Sequence, residues 1–266
     1  MARMIDGAGR ETTLLELDEI SKSFGRVVVA DRLSLRVAEG EMVGIVGPNG
    51  AGKTSLFSLI SGDLEPDSGQ VRLGGSVVTR QSAAARCRLG IGRTYQVPRP
   101  FGAMTVFENV LVAVQQGGGL RRRASYARAS AILERAGLAA EANSPAERLG
   151  LLQRKRLELA RALATSPRLL LLDEVAGGLT DPEVAQLAEI VLAIRDEGVA
   201  IIWIEHVVRA LTATVGRLLC LASGVFVGDG APAEVLALPA VREVFLGTMV
   251  TTSLTGPAGG PRPEGP

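Results

Sequence analysis

The chain has 266 residues, 47% of them apolar, so a folded globular protein with one large domain or two small ones is the expectation. Lys and Arg number 29 against 28 Asp and Glu, a formal net charge of +1 that removes any global electrostatic case for nucleic acid or an anionic membrane surface. Cys87 and Cys220 lie far apart, outside any CxxC or Cys/His spacing, and read as reduced thiols of a cytosolic chain.

The opening segment Met1–Thr13 carries Arg3, Asp6, Arg10 and Glu11 but no apolar run, which argues against a secretory signal. Short β-like runs then alternate with helical segments, the pattern of an α/β protein with a mainly parallel sheet. Strands are expected at Leu14–Ile20, Leu33–Val37 and Met42–Val46, followed by a helix at Lys53–Ile60 and a strand at Gln70–Leu73. Helices at Val106–Gln115, Arg123–Ala136 and Leu152–Ala164 come next, making the stretch from Met104 to Ala164 mostly helical. A strand at Leu169–Asp173, a helix at Pro182–Arg195 and strands at Ala200–Ile204 and Leu218–Leu221 complete the series. In the helix at Pro182–Arg195, Val184, Leu187, Val191 and Ile194 share one face and are expected only to pack the core. The opening strands alternate apolar and polar, as an antiparallel sheet does, so the expected molecule is an α/β lobe with an antiparallel edge plus a helical lobe. The apolar runs fall far short of the roughly 20 residues that a membrane-spanning helix needs. The last stretch, Thr251–Pro266, is rich in Gly and Pro and is expected to be disordered.

Between the strand ending at Val46 and the following helix stands Gly47-Pro48-Asn49-Gly50-Ala51-Gly52-Lys53-Thr54, a full match to GxxxxGK[ST]. Glycines let backbone N–H groups turn inward around phosphate oxygens, and the helix directs its positive end at them. Lys53 reaches the β and γ phosphates and Thr54 can ligate Mg²⁺. Lysine is otherwise confined to Lys22 and Lys155, so Lys53 is not compositional background. The bland alternative is an ordinary strand-to-helix turn.

Leu169-Leu170-Leu171-Leu172-Asp173-Glu174 reads as a fully buried strand ending in two carboxylates, at the sheet edge where open α/β folds bind their ligands. Asp173 would hold Mg²⁺ directly or through water, and Glu174 would act as general base on the attacking water; acidic N-capping of the next turn is the alternative. His206, the one histidine, follows another strand aimed at the same edge and suits a γ-phosphate sensor that stabilises the transition state, unless it is an ordinary surface histidine. Gln96 signals little without a family pattern.

The order of these motifs resembles the ABC transporter ATP-binding family: phosphate loop at Gly47–Thr54, Q-loop at Gln96, signature at Leu149–Gln153, acidic pair at Asp173 and Glu174, switch histidine at His206. The segments GRTYQVPRPF (92–101), MTVFENVLVA (104–113), RKRLELARAL (154–163), LLLLDEVAGGLT (169–180), IIWIEHVV (201–208) and VGDGAPAEVL (227–236) further resemble ATP-binding subunits of branched-chain amino acid uptake systems.

The resemblance implies a P-loop NTPase core with an antiparallel β edge and a helical subdomain at about 97–165, within a domain of 14–247 flanked by tails at 1–13 and 248–266. It implies ATP and Mg²⁺ as ligands, with a nucleotide set of Phe24, Gly47, Pro48, Asn49, Gly50, Ala51, Gly52, Lys53, Thr54 and Ser55. Thr54, Gln96 and Asp173 form the metal set, and Glu174, His206 and Gln96 the catalytic one. Phe24 would stack on adenine, although a core aromatic is its alternative reading. Val97–Met104 would face a permease, and the arginine triplet Arg121–Arg123 reads as a solvated loop. The implied partners are a second ATP-binding subunit, membrane permeases on whose cytoplasmic face the protein would sit, and indirectly a solute-binding protein.

Two departures bear on mechanism. The family signature is LSGGQ or a near variant, where this chain has Leu149-Gly150-Leu151-Leu152-Gln153, and Thr180 stands where many relatives carry Asp or Asn. A heterodimer with unequal sites is therefore expected. The rival readings are a soluble ABC ATPase uncoupled from transport, a P-loop kinase, and an importer of another small solute such as urea or amides.

Overall fold

The computed structural model describes residues 12–117, 122–206 and 208–245. The expected tail at 248–266 and most of 1–13 lie outside the described residues, and so does Arg121 of the arginine triplet; Arg122 and Arg123 belong to the first turn of a helix at Arg122–Arg135 rather than to a loop.

Two sheets share the core. In the first, β1 (Thr13–Phe24) and β2 (Val27–Ala38) form a long antiparallel hairpin, with β4 (Ser68–Leu73) on the other side of β1 and β5 (Ser76–Val77) beyond it. The second combines β3 (Met42–Val46), β6 (Ile91–Arg93), β7 (Leu169–Asp173), β8 (Ala200–Ile204), β9 (Arg217–Ala222) and β10 (Val225–Gly230) in the order β10-β9-β3-β8-β7-β6. Its five inner and outer strands from β9 to β6 run parallel, and only β10 pairs antiparallel.

Every residue of β3, β7 and β8 is buried, which is why their sequences read as unbroken apolar runs rather than alternating ones. Pleating still divides them by parity. Leu170, Leu172, Ile201 and Trp203 face a core built with α3 (Val106–Gln116), α4 (Arg122–Arg135), α5 (Leu151–Ala164) and α6 (Asp181–Asp196), while Leu169, Leu171, Ile202 and Ile204 face the first sheet and α1 (Lys53–Ser61). The helices α2 (Ala83–Arg88), α7 (Val208–Thr212) and α8 (Pro232–Ala237) are short additions at the periphery.

All the strands and helices expected from the sequence are present, most with ends displaced by one or two residues, but the first two strands are longer than expected, β1 running on to Phe24 and β2 beginning at Val27. The strands β5, β6 and β10 and the three short helices escaped the sequence reading because two to six residues carry too little periodicity. The helical part is anchored by local chemistry. Thr105 caps α3, its Oγ1 accepting from the Glu108 N–H at 3.1 Å while the Glu108 carboxylate accepts from the Thr105 N–H at 2.8 Å. Buried Asn109 then pins the preceding turn, accepting from the Phe101 N–H at 2.8 Å and donating to the Phe101 and Thr105 carbonyls at 3.1 and 2.9 Å.

Trp203, fully buried in β8, is the largest side chain in the core, so Trp203→Ala is expected to destabilise the fold by about 3–5 kcal/mol. Urea denaturation followed by far-UV circular dichroism measures this; a loss below about 1 kcal/mol would mean that the core there can collapse around the gap.

Candidate functional site

Strand register sets the site's frame. Asp173 lies opposite Ile204 in the β7–β8 ladder, and Ile204 opposite Ile45 in the β8–β3 ladder, so three parallel strands end level with one another. The ladder runs one step further: Glu174 N–H donates to the Ile204 carbonyl at 2.9 Å and Glu205 N–H to the Ile45 carbonyl at 3.3 Å. Residues immediately after these strands therefore share one edge with the loop that follows β3.

That loop runs from Gly47 into α1. Gly52 occupies the N-cap of α1 at φ +103°, and a Cβ there would lie 2.2 Å from the Val29 carbonyl oxygen of β2. Gly50 has φ +78° with nothing within 4 Å of its would-be Cβ, so the mouth of the loop is open to a ligand. Lys53 is buried beneath, its ammonium donating to the Gly47 and Pro48 carbonyls at 2.7 and 2.9 Å. Burial pushes Lys53 below the usual lysine range, and the carboxylates of Glu174 and Asp173 oppose that shift. Thr54 and Asn49 are exposed, Pro48 and Ser55 partly so, and Ala51 is buried.

The acidic pair separates into two environments. Asp173 is buried, its carboxylate 3.5 Å from the Arg93 guanidinium, and its backbone N–H donates to Thr94 Oγ1 at 3.1 Å. Desolvation raises its pKa, with Arg93 pulling the other way. Glu174 adopts φ +48°, a left-handed conformation rare for a residue with a side chain. Gln96 Nε2 donates to its Oε2 at 2.5 Å, and His206 Nε2 lies 2.5 Å from its Oε1. Gln96, which only a family pattern linked to the others in sequence, thus meets Glu174 and His206 at one carboxylate.

Sequence reasoning missed four supports. Arg93 Nη1 reaches Ser58 Oγ, Ser61 Oγ and the Asp63 carboxylate at 3.1 Å each, tying α1 to Asp173. Thr94 bridges β6 to β7. Glu205, 1% exposed, accepts from the Ala176 N–H at 2.6 Å and from Trp203 Nε1 at 3.1 Å, steadying the turn after Glu174. Lys155 of α5 donates to the carbonyls of both Gln96 and Glu174 at 3.0 Å. The scarcity of lysine was the one signal that could have found it; the others had none beyond adjacency to Gln96 and His206.

Phe24 is not part of this cluster. It sits at the tip of the β1–β2 hairpin, 53% exposed, with Lys22 Nζ 5.6 Å from its ring centre. The core-aromatic alternative is thereby excluded. At the far side, Gly150 caps α5 with no side-chain hydrogen bond, Leu149 is buried and Leu151 is 46% exposed. Thr180 precedes α6, where the Glu183 carboxylate accepts from its N–H and Oγ1 at 2.8 Å each. A cavity of about 310 Å³ lies among α2, β6 and α5, lined among others by Asp63, Cys87, Arg93, Tyr95, Glu158 and Arg161 and by none of Gln96, Glu174 and His206.

The family model described as ABC transporter matches residues 30–177. The chain is 34% identical over 249 residues to the high-affinity branched-chain amino acid transport ATP-binding protein LivG of Salmonella typhimurium, covering 88% of this chain and 98% of that protein. It is 35% identical over 234 residues to the lipopolysaccharide export system ATP-binding protein LptB of Acidithiobacillus ferridurans, covering 88% and 97%. Among solved structures, a nucleotide-free ATP-binding cassette from an ABC transporter aligns with TM-score 0.80 at 28% identity, and the ADP conformation of the cassette MJ1267 does so with the same two values. These alignments cover 88% of this chain and 98% and 99% of the respective cassettes.

Burial raises the Glu205 pKa, so the folded state holds its proton to higher pH than the unfolded chain does, and the group's charge weakens the fold as pH climbs above the ordinary carboxylate range. Glu205→Gln is expected to leave stability unchanged near pH 4 and raise it relative to the parent at pH 8. Paired urea titrations at the two values check this; a variant less stable than the parent at pH 8 would contradict it.

Proposed function

The chain belongs to the ABC transporter family as an ATP-binding, ATP-hydrolysing subunit, and from that premise we propose that it drives an importer of branched-chain or related amino acids. Likeness to LivG and to BraF of Pseudomonas aeruginosa, each matched over 98% of its length, supports the solute class. The observation that carries the hydrolytic reading is the Glu174 carboxylate held between Gln96 and His206 at the open edge beside Gly47–Thr54.

In this reading the loop from Gly47 through Pro48, Asn49, Gly50, Ala51 and Gly52 lines the triphosphate with N–H groups, Lys53 neutralises the β and γ phosphates, and Ser55 joins Thr54 at the α1 terminus. Phe24 offers an exposed ring for adenine to stack upon. Thr54, Asp173 and Gln96 would hold Mg²⁺; a hydroxyl, a carboxylate and an amide oxygen are the hard donors that this ion takes, usually beside waters and phosphate. The metal supplies positive charge to the phosphate oxygens. Glu174 takes the proton of the attacking water, Gln96 orients that water, and His206 faces the departing γ-phosphate.

The domain we assign is 14–247, with the helical subdomain at about 97–165. Exposed Val97 and Phe101 support the reading of Val97–Met104 as the permease-facing segment, and in that reading the subunit sits at the cytoplasmic face of the membrane through its permeases. The partner ATP-binding subunit is a different chain, and a solute-binding protein delivers the amino acid. This chain's own Lys53, Asp173, Glu174, Gln96 and His206 form a pocket that turns over when the partner supplies a regular signature. The pocket completed by Leu149–Gln153 turns over slowly, because Leu151 and Leu152 deny the close backbone approach that glycine allows. Likeness to LptB favours one second reading, an export motor.

Glu174→Gln is expected to cut steady-state hydrolysis by about 10²–10⁴-fold while Mg-dependent ATP binding persists. The equivalent change in the partner should cost far less; equal losses would refute unequal sites. Proteoliposomes carrying the assembled complex with the solute-binding protein should take up labelled leucine with ATP inside. Absence of uptake for any branched-chain amino acid, alongside normal ATPase activity, would remove the solute assignment.

A further inference from the structure

Lys155 lies in the first half of α5 and is 4% exposed. Its Nζ donates to the Gln96 carbonyl and the Glu174 carbonyl at 3.0 Å each, joining residues 78 positions apart whose side chains also bond at 2.5 Å. The result is a closed ring: ammonium, Gln96 main chain, Gln96 amide, Glu174 carboxylate, Glu174 main chain. Within it Glu174 keeps φ +48°, a conformation that persists only where the surroundings over-determine it. The Glu174 N–H is fixed by the Ile204 carbonyl, and the Glu174 carbonyl by Lys155.

Further along the same face of α5, at steps of three, stand Glu158 and Arg161. Arg161 Nη1 donates to the Arg99 carbonyl at 2.8 Å and to the Glu158 carboxylate at 3.1 Å, and its guanidinium lies 5.1 Å from the Phe101 ring centre. One helix face therefore holds both ends of the segment from Gln96 to Phe101, and through Lys155 it also holds the residue after β7. Burial lowers the Lys155 pKa, while Glu205, Glu174, Asp173 and Glu158 oppose that shift.

We propose that Lys155 is a positioning residue for hydrolysis, fixing the main chain of Glu174 in its left-handed turn and so aiming the carboxylate between Gln96 and His206. The inference rests on Glu174 being the general base. A lysine that merely satisfied two buried carbonyls would support folding and nucleotide affinity, whereas a positioning lysine governs turnover at saturating ATP.

The test uses the assembled complex with Lys155→Met, Lys155→Arg, Glu174→Gln and the Met/Gln double variant, measuring kcat, KM for ATP, binding of a fluorescent ATP analogue and Tm. Lys155→Met is expected to lower kcat on the order of 10- to 100-fold, with KM and analogue affinity within about threefold of the parent. Lys155→Arg, which keeps a cation with several donors, should recover most of that loss, and the double variant should be no slower than Glu174→Gln alone. Should the methionine variant not fold, Lys155→Gln replaces it with the same expectation. A kcat within twofold of the parent for the neutral variant overturns the inference while leaving Glu174 as base. A kcat loss matched by an equal loss of affinity and not recovered by arginine also overturns it. Full activity in Glu174→Gln removes the base assignment, and the role of Lys155 falls with it.

Discussion

The lateral hydrogen bonding of three parallel strands governs where chemistry can happen in this molecule. Ile45, Ile204 and Asp173 are held level across β3, β8 and β7, so the glycine-rich loop, the acidic pair and the residues before His206 emerge from one edge although they are scattered along the chain. A shift of one residue in any of these ladders would turn the side chains onto the opposite face and move the carboxylates away from the loop. The all-buried composition of the strands guards against this, because parity divides their residues between two cores that both have to be filled.

Around that edge the protein concentrates charge where the dielectric is low. Lys53, Lys155, Asp173, Glu158 and Glu205 are each 6% exposed or less, and none stands alone: carbonyls, amides, a guanidinium or an indole N–H meet each of them. Buried charge stabilises a fold weakly, but removing one partner leaves the other uncompensated. Such a network tolerates little drift, which suits a carboxylate that has to stay aimed at one point.

What was legible in the sequence follows the same physics. The turn at Gly47–Thr54 could be read because its glycine spacing before a single lysine fits a sharp strand-to-helix loop, and Leu169–Leu172 because a strand buried on both faces reads as an unbroken apolar run. His206 could be singled out by its place after a buried strand aimed at the same edge, whereas Gln96 needed a family pattern, since a glutamine at a strand end has an innocuous explanation. Lys155 and Arg93 stayed hidden because what they touch is main chain, or side chains far off in sequence, and neither leaves a spacing to detect; Glu205 stayed hidden because its contact with Trp203 two residues back matches no motif and its other partner is the Ala176 main chain. Phe24 could not be settled from its neighbours, and at the hairpin tip its ring meets no core.

The solitary tryptophan has a use beyond packing. Its indole is sealed in β8 and its nitrogen is bonded to Glu205, which is itself joined to the backbone just past Glu174 and is followed directly by His206. With no second indole in the chain to blur the signal, its emission is a built-in, label-free optical gauge of events at the strand edge. The ring therefore reports the local field of the turn after Glu174, the one place in the chain where an indole senses it.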